Sequence, residues 1–317
     1  MESRKIIRFG RSSYVVSVPK EWVKENKLKK GDLIFLETNS DGELILKTRE
    51  GEEEKEVERV IMDISKRDLW SIKRELNFFY IDDYPLIVLK GNHPNKTKIE
   101  ELIKSLVGLQ IIENSEDLTV IKNILNLGSV KIQDIIRRVD NLIRSIFLEL
   151  REGLRYKTIP NEKVSSIYAT DREINSLYFL LWKVVRKGFK NRKFAKKLDK
   201  NSLELNYLHH MILNLEIIGD RLKRTAKLWN KIKLNKKQIT NLENLLSLIE
   251  QTYRNTMLAH YNEDQKIARK VAEEAKNAKV ECEKFAVGTR NERIGEISEQ
   301  MKETARTLHF ISKILAY

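Results

Sequence analysis

In LEIIGDRLKRTAKLW, residues 215–229, Glu216 and Asp220 stand four residues apart, and in TDREINSLYFLLW Asp171 and Asn175 repeat the spacing. Residues four apart share one face of a helix, so each pair sets two oxygen-bearing side chains next to one another. Carboxylates placed this way repel mildly unless a cation or a basic group lies between them. If the two helices are antiparallel neighbours, the pairs converge into a set of hard oxygen donors suited to a cation. If Arg221, Lys223 and Arg224 lie closer, the same acids form an ordinary ion-paired face. Gly219, beside Asp220, permits close helix approach.

Other chemistry is hard to find. The sequence has no Ser-His-Asp or Cys-His arrangement, no Gly-Lys-Ser/Thr phosphate loop, no Cys/His zinc spacing and no nucleotide fingerprint, so no enzyme is expected. Cys282, the only cysteine, is flanked by Glu281 and Glu283, and neighbouring negative charge disfavours a thiolate. The segment 183–200 holds nine Lys/Arg against one Asp, which reads either as a solvated corner or as a docking surface for an acidic protein or nucleic acid. Tyr178, Phe179 and Trp182 read as bundle core.

These residues sit in a chain of 317, enough for two or three domains, with a net charge of +14. Residues 126–317 carry most of the excess, 38 basic against 23 acidic, whereas residues 1–50 carry 11 against 8. A basic excess favours anionic partners. The N-terminus lacks the apolar core of a signal peptide, and the longest apolar run, LYFLLW at 177–182, is far too short to span a bilayer. No membrane insertion and a cytoplasmic setting are therefore expected.

The expected fold class is multidomain α+β. Residues 1–50 read as short strands, one short helix after Pro19, and a hairpin turning at Ser40-Asp41-Gly42. The acidic run at 50–58 reads as a linker. Residues 58–125 alternate strand and helix as a small α/β connector. No proline follows Pro160, and residues 128–317 read as an all-α bundle of six helices, about 129–155, 161–189, 201–230, 235–261, 263–287 and 291–316. They form two three-helix repeats, about 129–230 and 235–317; the Lys-rich KNRKFAKKLDKN is one of the breaks.

Residues 3–49 resemble the SpoVT/AbrB family. The shared marks are Arg4-Lys5, Gly10-Arg11, the Val-Ser-Val-Pro strand end, the short helix, Lys30-Gly31-Asp32 and the closing hairpin. In that family two chains interleave their hairpins into one swapped β-barrel, so the resemblance implies a homodimer and binding of double-stranded DNA. By position it implies Arg4 and Arg11 as DNA contacts. Where AbrB has paired arginines this chain has Val23-Lys24, and Lys5 and Arg8 add phosphate contacts. The inserted Ser12-Ser13-Tyr14 is similar to an archaeal-type variant that often precedes a helical regulator.

Residues 130–317 resemble the PhoU phosphate uptake regulators: LEIIGDRLKRTA looks like their helix signature, and DREIN like its companion motif, whose last position is usually Asp. The family's acidic motifs bind iron or zinc, which implies Asp171, Asn175, Glu216 and Asp220 as ligands. In the second repeat the matching positions are Glu273 and Asn277, with Glu299 and Glu303 on the last helix. Together the resemblances imply a DNA-binding regulator of phosphate uptake with a helical sensor. Two alternatives stand beside it: an adaptor acting on phosphate-transport or signalling proteins, with the head only dimerising, and a metal-dependent hydrolase.

Overall fold

The computed structural model describes residues 3–38, 43–48, 58–287 and 291–316. The expected turn at Ser40-Asp41-Gly42 and the acidic run, Glu58 apart, lie outside them. The chain divides into two compact units, residues 1–57 and 58–317.

In the first unit, β1 (Ile7–Phe9) pairs antiparallel with β2 (Ser13–Val15), in a register that sets Arg8 opposite Tyr14 and Ile7 opposite Val15. The turn between them needs Gly10, whose φ of 71° lies in the left-handed region. Pro19 immediately precedes α1 (Lys20–Glu25) and accepts from the Val23 amide through its carbonyl at 3.1 Å. A second two-stranded sheet joins β3 (Phe35–Thr38) to β4 (Leu44–Lys47), with Leu36 opposite Leu46. Asp32 closes the preceding turn by accepting a hydrogen bond from the Lys29 amide at 2.6 Å.

The second unit begins with a four-stranded mixed sheet. β5 (Arg59–Asp63) lies parallel to β6 (Leu86–Lys90), which pairs antiparallel with β8 (Leu118–Asn123); β7 (Leu109–Asn114) closes the edge. Two helices connect the strands, α2 (Leu69–Ile81) and α3 (Lys96–Lys104). Asp68 starts α2 by accepting a hydrogen bond from the Ser71 amide, satisfying one of the free donors of the first turn. Ile72, Leu76, Ile99 and Ile103 bury the helices' inner faces against Met62, Ile87, Leu89 and Ile121 of the sheet.

The bundle follows as α4 (Ile132–Gly153), α5 (Asn161–Lys190), the short α6 (Arg192–Lys197) and α7 (Ser202–Trp229). Then come α8 (Lys236–Asn262), α9 (Gln265–Ala286) and α10 (Glu292–Ala316). The six long helices fall close to the expected ranges. Helices α4, α5 and α7 pack on one another, as do α8, α9 and α10, and the two triplets join through α7 on α10 and α4 on α8. A continuous core runs from Leu127 to Ile311 and includes Phe147, Trp229 and Tyr253.

Two expectations are corrected here. KNRKFAKKLDKN is not a plain break: it contains α6, started by the Asn191 side chain accepting from the Phe194 amide. The aromatic stripe also divides. Tyr178 packs on the bundle core, but Phe179 and Trp182 pack on the core beneath the sheet. Helical periodicity marks a face as apolar without saying which layer covers it.

Candidate functional site

The head, residues 3–48, has an unusual solvent profile: none of its described residues is buried. Ile6, Phe9, Tyr14, Leu33 and Leu36 are each 64–73% exposed. Strand alternation puts Ile7, Phe9 and Val15 on one face of the β1–β2 ribbon, and Arg8 and Tyr14 on the other. The expected DNA contacts, Arg4, Lys5, Arg8, Arg11 and Lys24, are all exposed. An isolated two-stranded hairpin is at best marginally stable in water, and the described residues of this unit form two, with no core between them.

The second site lies within the other unit. Asp171, Asn175, Glu216 and Asp220 do come together, from α5 and α7, at one end of a cavity of about 800 Å³. Gly219 permits the approach: a Cβ there would meet the Ile174 Cδ1 at 3.1 Å. The group at the centre is Lys223. Its Nζ donates to Asp171 Oδ2 and pairs with Asp220 Oδ1, each at 2.8 Å. Asp220 also pairs with Arg224 at 2.7 Å, and Asn175 Nδ2 donates to the Asp171 main-chain oxygen at 2.9 Å. Burial, with Asp220 and Asp171 close by, pushes the Glu216 carboxyl up to about 7. The ammonium of Lys223 thus stands between two of the carboxylates on which the metal expectation rested. Among the described residues no group of three or more His, Cys, Asp or Glu is arranged to hold a metal ion.

The opposite wall of the cavity belongs to the α/β layer: Leu69, Trp70 and Lys73 of the α2 end and Lys98, Leu102 and Leu106 of the α3 end, with Phe179 reaching in from α5. Nothing in the sequence pattern links these residues to the carboxylates, because they lie about a hundred positions apart and meet only in the folded chain.

The second-repeat acids are placed differently. Glu273 pairs with Lys276 at 2.7 Å, and Arg306 pairs with both Glu299 and Glu303. Glu273, Asn277 and Glu299 are exposed.

The first half of the basic segment 183–200 docks inside the chain, whereas Arg192, Lys193, Lys196 and Lys197 are exposed. Arg186 and Lys190 bind Asp82, and Lys183 and Lys187 bind Asp83, at the C-terminal end of α2. Lys183 is fully buried and lies 4.3 Å from the centre of the Tyr80 ring. A further polar cluster was not legible in the sequence. Asp140 on α4 accepts from Arg144, from Tyr253 at 2.9 Å and from Tyr261 at 3.0 Å. Beside it His260 is buried and meets Tyr207 through Nδ1. Cys282 is buried, and burial, more than its flanking acids, pushes its thiol up to about 12. Among the described residues no helix is long and apolar enough to cross a membrane.

Compared with known families, residues 7–54 match the model described as antidote-toxin recognition MazE, bacterial antitoxin. The head is therefore a MazE/AbrB-type domain, and the chain a multidomain α+β protein. No curated protein and no solved structure matches the chain.

Proposed function

We propose that this protein is a homodimeric DNA-binding transcriptional regulator, with the MazE/AbrB-type head on the duplex and the helical unit as sensor. One observation carries the reading: the head exposes Ile7, Phe9, Val15, Leu36 and Leu44 and buries none of its described residues. Apolar surface on this scale marks an interface, and a second head, interleaved as a swapped barrel, supplies the missing core. The Arg8 and Tyr14 face of the ribbon is then left outward with Arg11, where guanidinium groups engage phosphates and base edges. Two linked heads gain by effective concentration, so a change in their spacing acts as a switch. The PhoU resemblance supports phosphate uptake as the regulated process.

The test is a mobility-shift titration against genomic fragments from about 50 to 200 mM salt, where phosphate contacts make affinity fall steeply. Arg8→Ala with Arg11→Ala is expected to weaken binding and to flatten the salt dependence by roughly one power of salt concentration for each arginine that had neutralised a phosphate. Absence of binding at about 50 mM salt would instead favour the adaptor reading. The family match favours one second reading, an antidote that neutralises a toxin through the same head; co-purification of a stoichiometric small protein that competes with DNA would select it.

A further inference from the structure

Asp171 is 5% exposed, and its Oδ1 has no hydrogen-bond partner among the described residues. A buried carboxylate oxygen left bare is rare and calls for a partner. Its other oxygen is satisfied by Lys223 at 2.8 Å and Asn175 at 3.3 Å. Asp171 lies at the carboxylate end of the cavity between the α/β layer and the bundle, whose volume of about 800 Å³ falls in the range of small-molecule sites. That cavity has two chemical halves. One holds Asp171, Glu216 and Asp220, with Lys223 on both aspartates and Arg224 on Asp220; the other is walled by Leu69, Trp70, Leu102, Leu106 and Phe179.

We propose that this cavity binds a small organic monoamine: a primary ammonium seated on Asp171 and Glu216, and an apolar or aromatic body lying against Trp70, Leu102 and Phe179. Lys223 shows what the acidic half accepts. An ammonium already bridges Asp171 and Asp220 at the distances of charge-assisted hydrogen bonds, and with Arg224 completing the pairing of Asp220, Glu216 is the acid at this end that forms no ion pair among the described residues. A bare metal ion would have to displace that lysine and would leave the apolar half empty. Lys73, Lys98 and Arg172 also line the cavity, against Glu101 as the one further acid, and this cationic excess away from Asp171 disfavours a second positive charge on the ligand. The proposal deepens the regulator reading, because a ligand gripped by α2 and α3 on one side and by α5 and α7 on the other ties the α/β layer to the bundle.

The test is calorimetric titration of the full chain with 2-phenylethylamine, with 2-phenylethanol as its uncharged counterpart. The amine is expected to bind saturably and at least about tenfold more tightly than the alcohol, which corresponds to roughly 1.4 kcal/mol. Asp171→Asn is expected to erase that preference. Trp70→Ala, at a position 65% exposed and so safe for folding, is expected to weaken the amine severalfold. Equal binding of amine and alcohol, no saturable amine binding, or amine affinity unchanged in Trp70→Ala would each overturn the proposal. So would zinc, iron or magnesium saturating the site and excluding the amine. The readout involves no DNA, so its failure leaves the DNA-binding reading standing, and failure of the shift assay leaves this one standing.

Discussion

The strut between α2 and α5 makes a sharp energetic prediction, because its two partners differ in what they leave behind. Lys183 is fully buried; its ammonium lies 3.0 Å from Asp83 Oδ1 and 4.3 Å from the Tyr80 ring centre. Asp83 is better supplied, with Lys187 at 2.6 Å and Asn123 at 2.8 Å. Asp83→Asn keeps the shape, and asparagine tolerates the left-handed φ of 62° at this position. It leaves the Lys183 charge buried without a counter-ion. Breaking a buried pair from one side costs about 3–5 kcal/mol, and the Tyr80 ring returns about 1 kcal/mol of that, so the expected loss is about 2–4 kcal/mol. Lys183→Met instead removes the desolvated charge, fills the space with an apolar chain and leaves Asp83 paired with Lys187. Its expected effect is within about 1 kcal/mol of zero, in either direction. Urea unfolding followed by far-UV circular dichroism measures both, and the double variant should recover most of the loss of Asp83→Asn. If Lys183→Met costs as much as Asp83→Asn, the charge is not the source of the effect and the reasoning fails.

Three further outcomes follow from the same structure. Asp140→Ala leaves the fully buried Tyr253 hydroxyl without its acceptor and is expected to lower stability by about 2–4 kcal/mol; Tyr253→Phe, which removes the donor as well, should cost less. Gly219→Leu drives a side chain into Ile174, with an expected loss of about 1–3 kcal/mol from overpacking in thermal unfolding. Glu216 holds its proton to about 7 under burial and the nearby Asp220 and Asp171, opposed by Lys223 and Arg224. The folded chain therefore binds more protons than the unfolded chain between about pH 4.5 and 7. Stability should fall as pH rises through that window, and Glu216→Gln should flatten the fall. A pH profile unchanged by that substitution would refute the assignment.

Helix positions were legible because the long helices carry an apolar stripe, of Ile and Leu in most and of Ala, Val and Phe in α9, and have stops such as Pro160 before α5. The convergence of Asp171, Asn175, Glu216 and Asp220 followed from spacing on two neighbouring helices. What faces them did not. Trp70 and Leu102 sit on an α/β layer that meets α5 through Phe179 and Trp182 and through Asp82 and Asp83 on four basic side chains, long-range matches that no local period encodes. The same run of cations therefore looked like a solvated corner or an external docking surface. Lys223 was visible as a neutralising neighbour, but not as the bridge between α5 and α7, because i,i+3 spacing relates it to Asp220 and says nothing of Asp171. His260 lacked any partner pattern, since Tyr207 lies 53 residues away.

The central claim is that the head is half of a two-chain unit. Sedimentation velocity of the full chain at micromolar concentration measures this directly. The account predicts twice the chain mass, reverting to a single chain when Phe9→Ser and Leu36→Ser are combined while the helical circular dichroism of the second unit is retained. A single-chain mass for the unaltered protein at tens of micromolar, or a dimer indifferent to both substitutions, would contradict it.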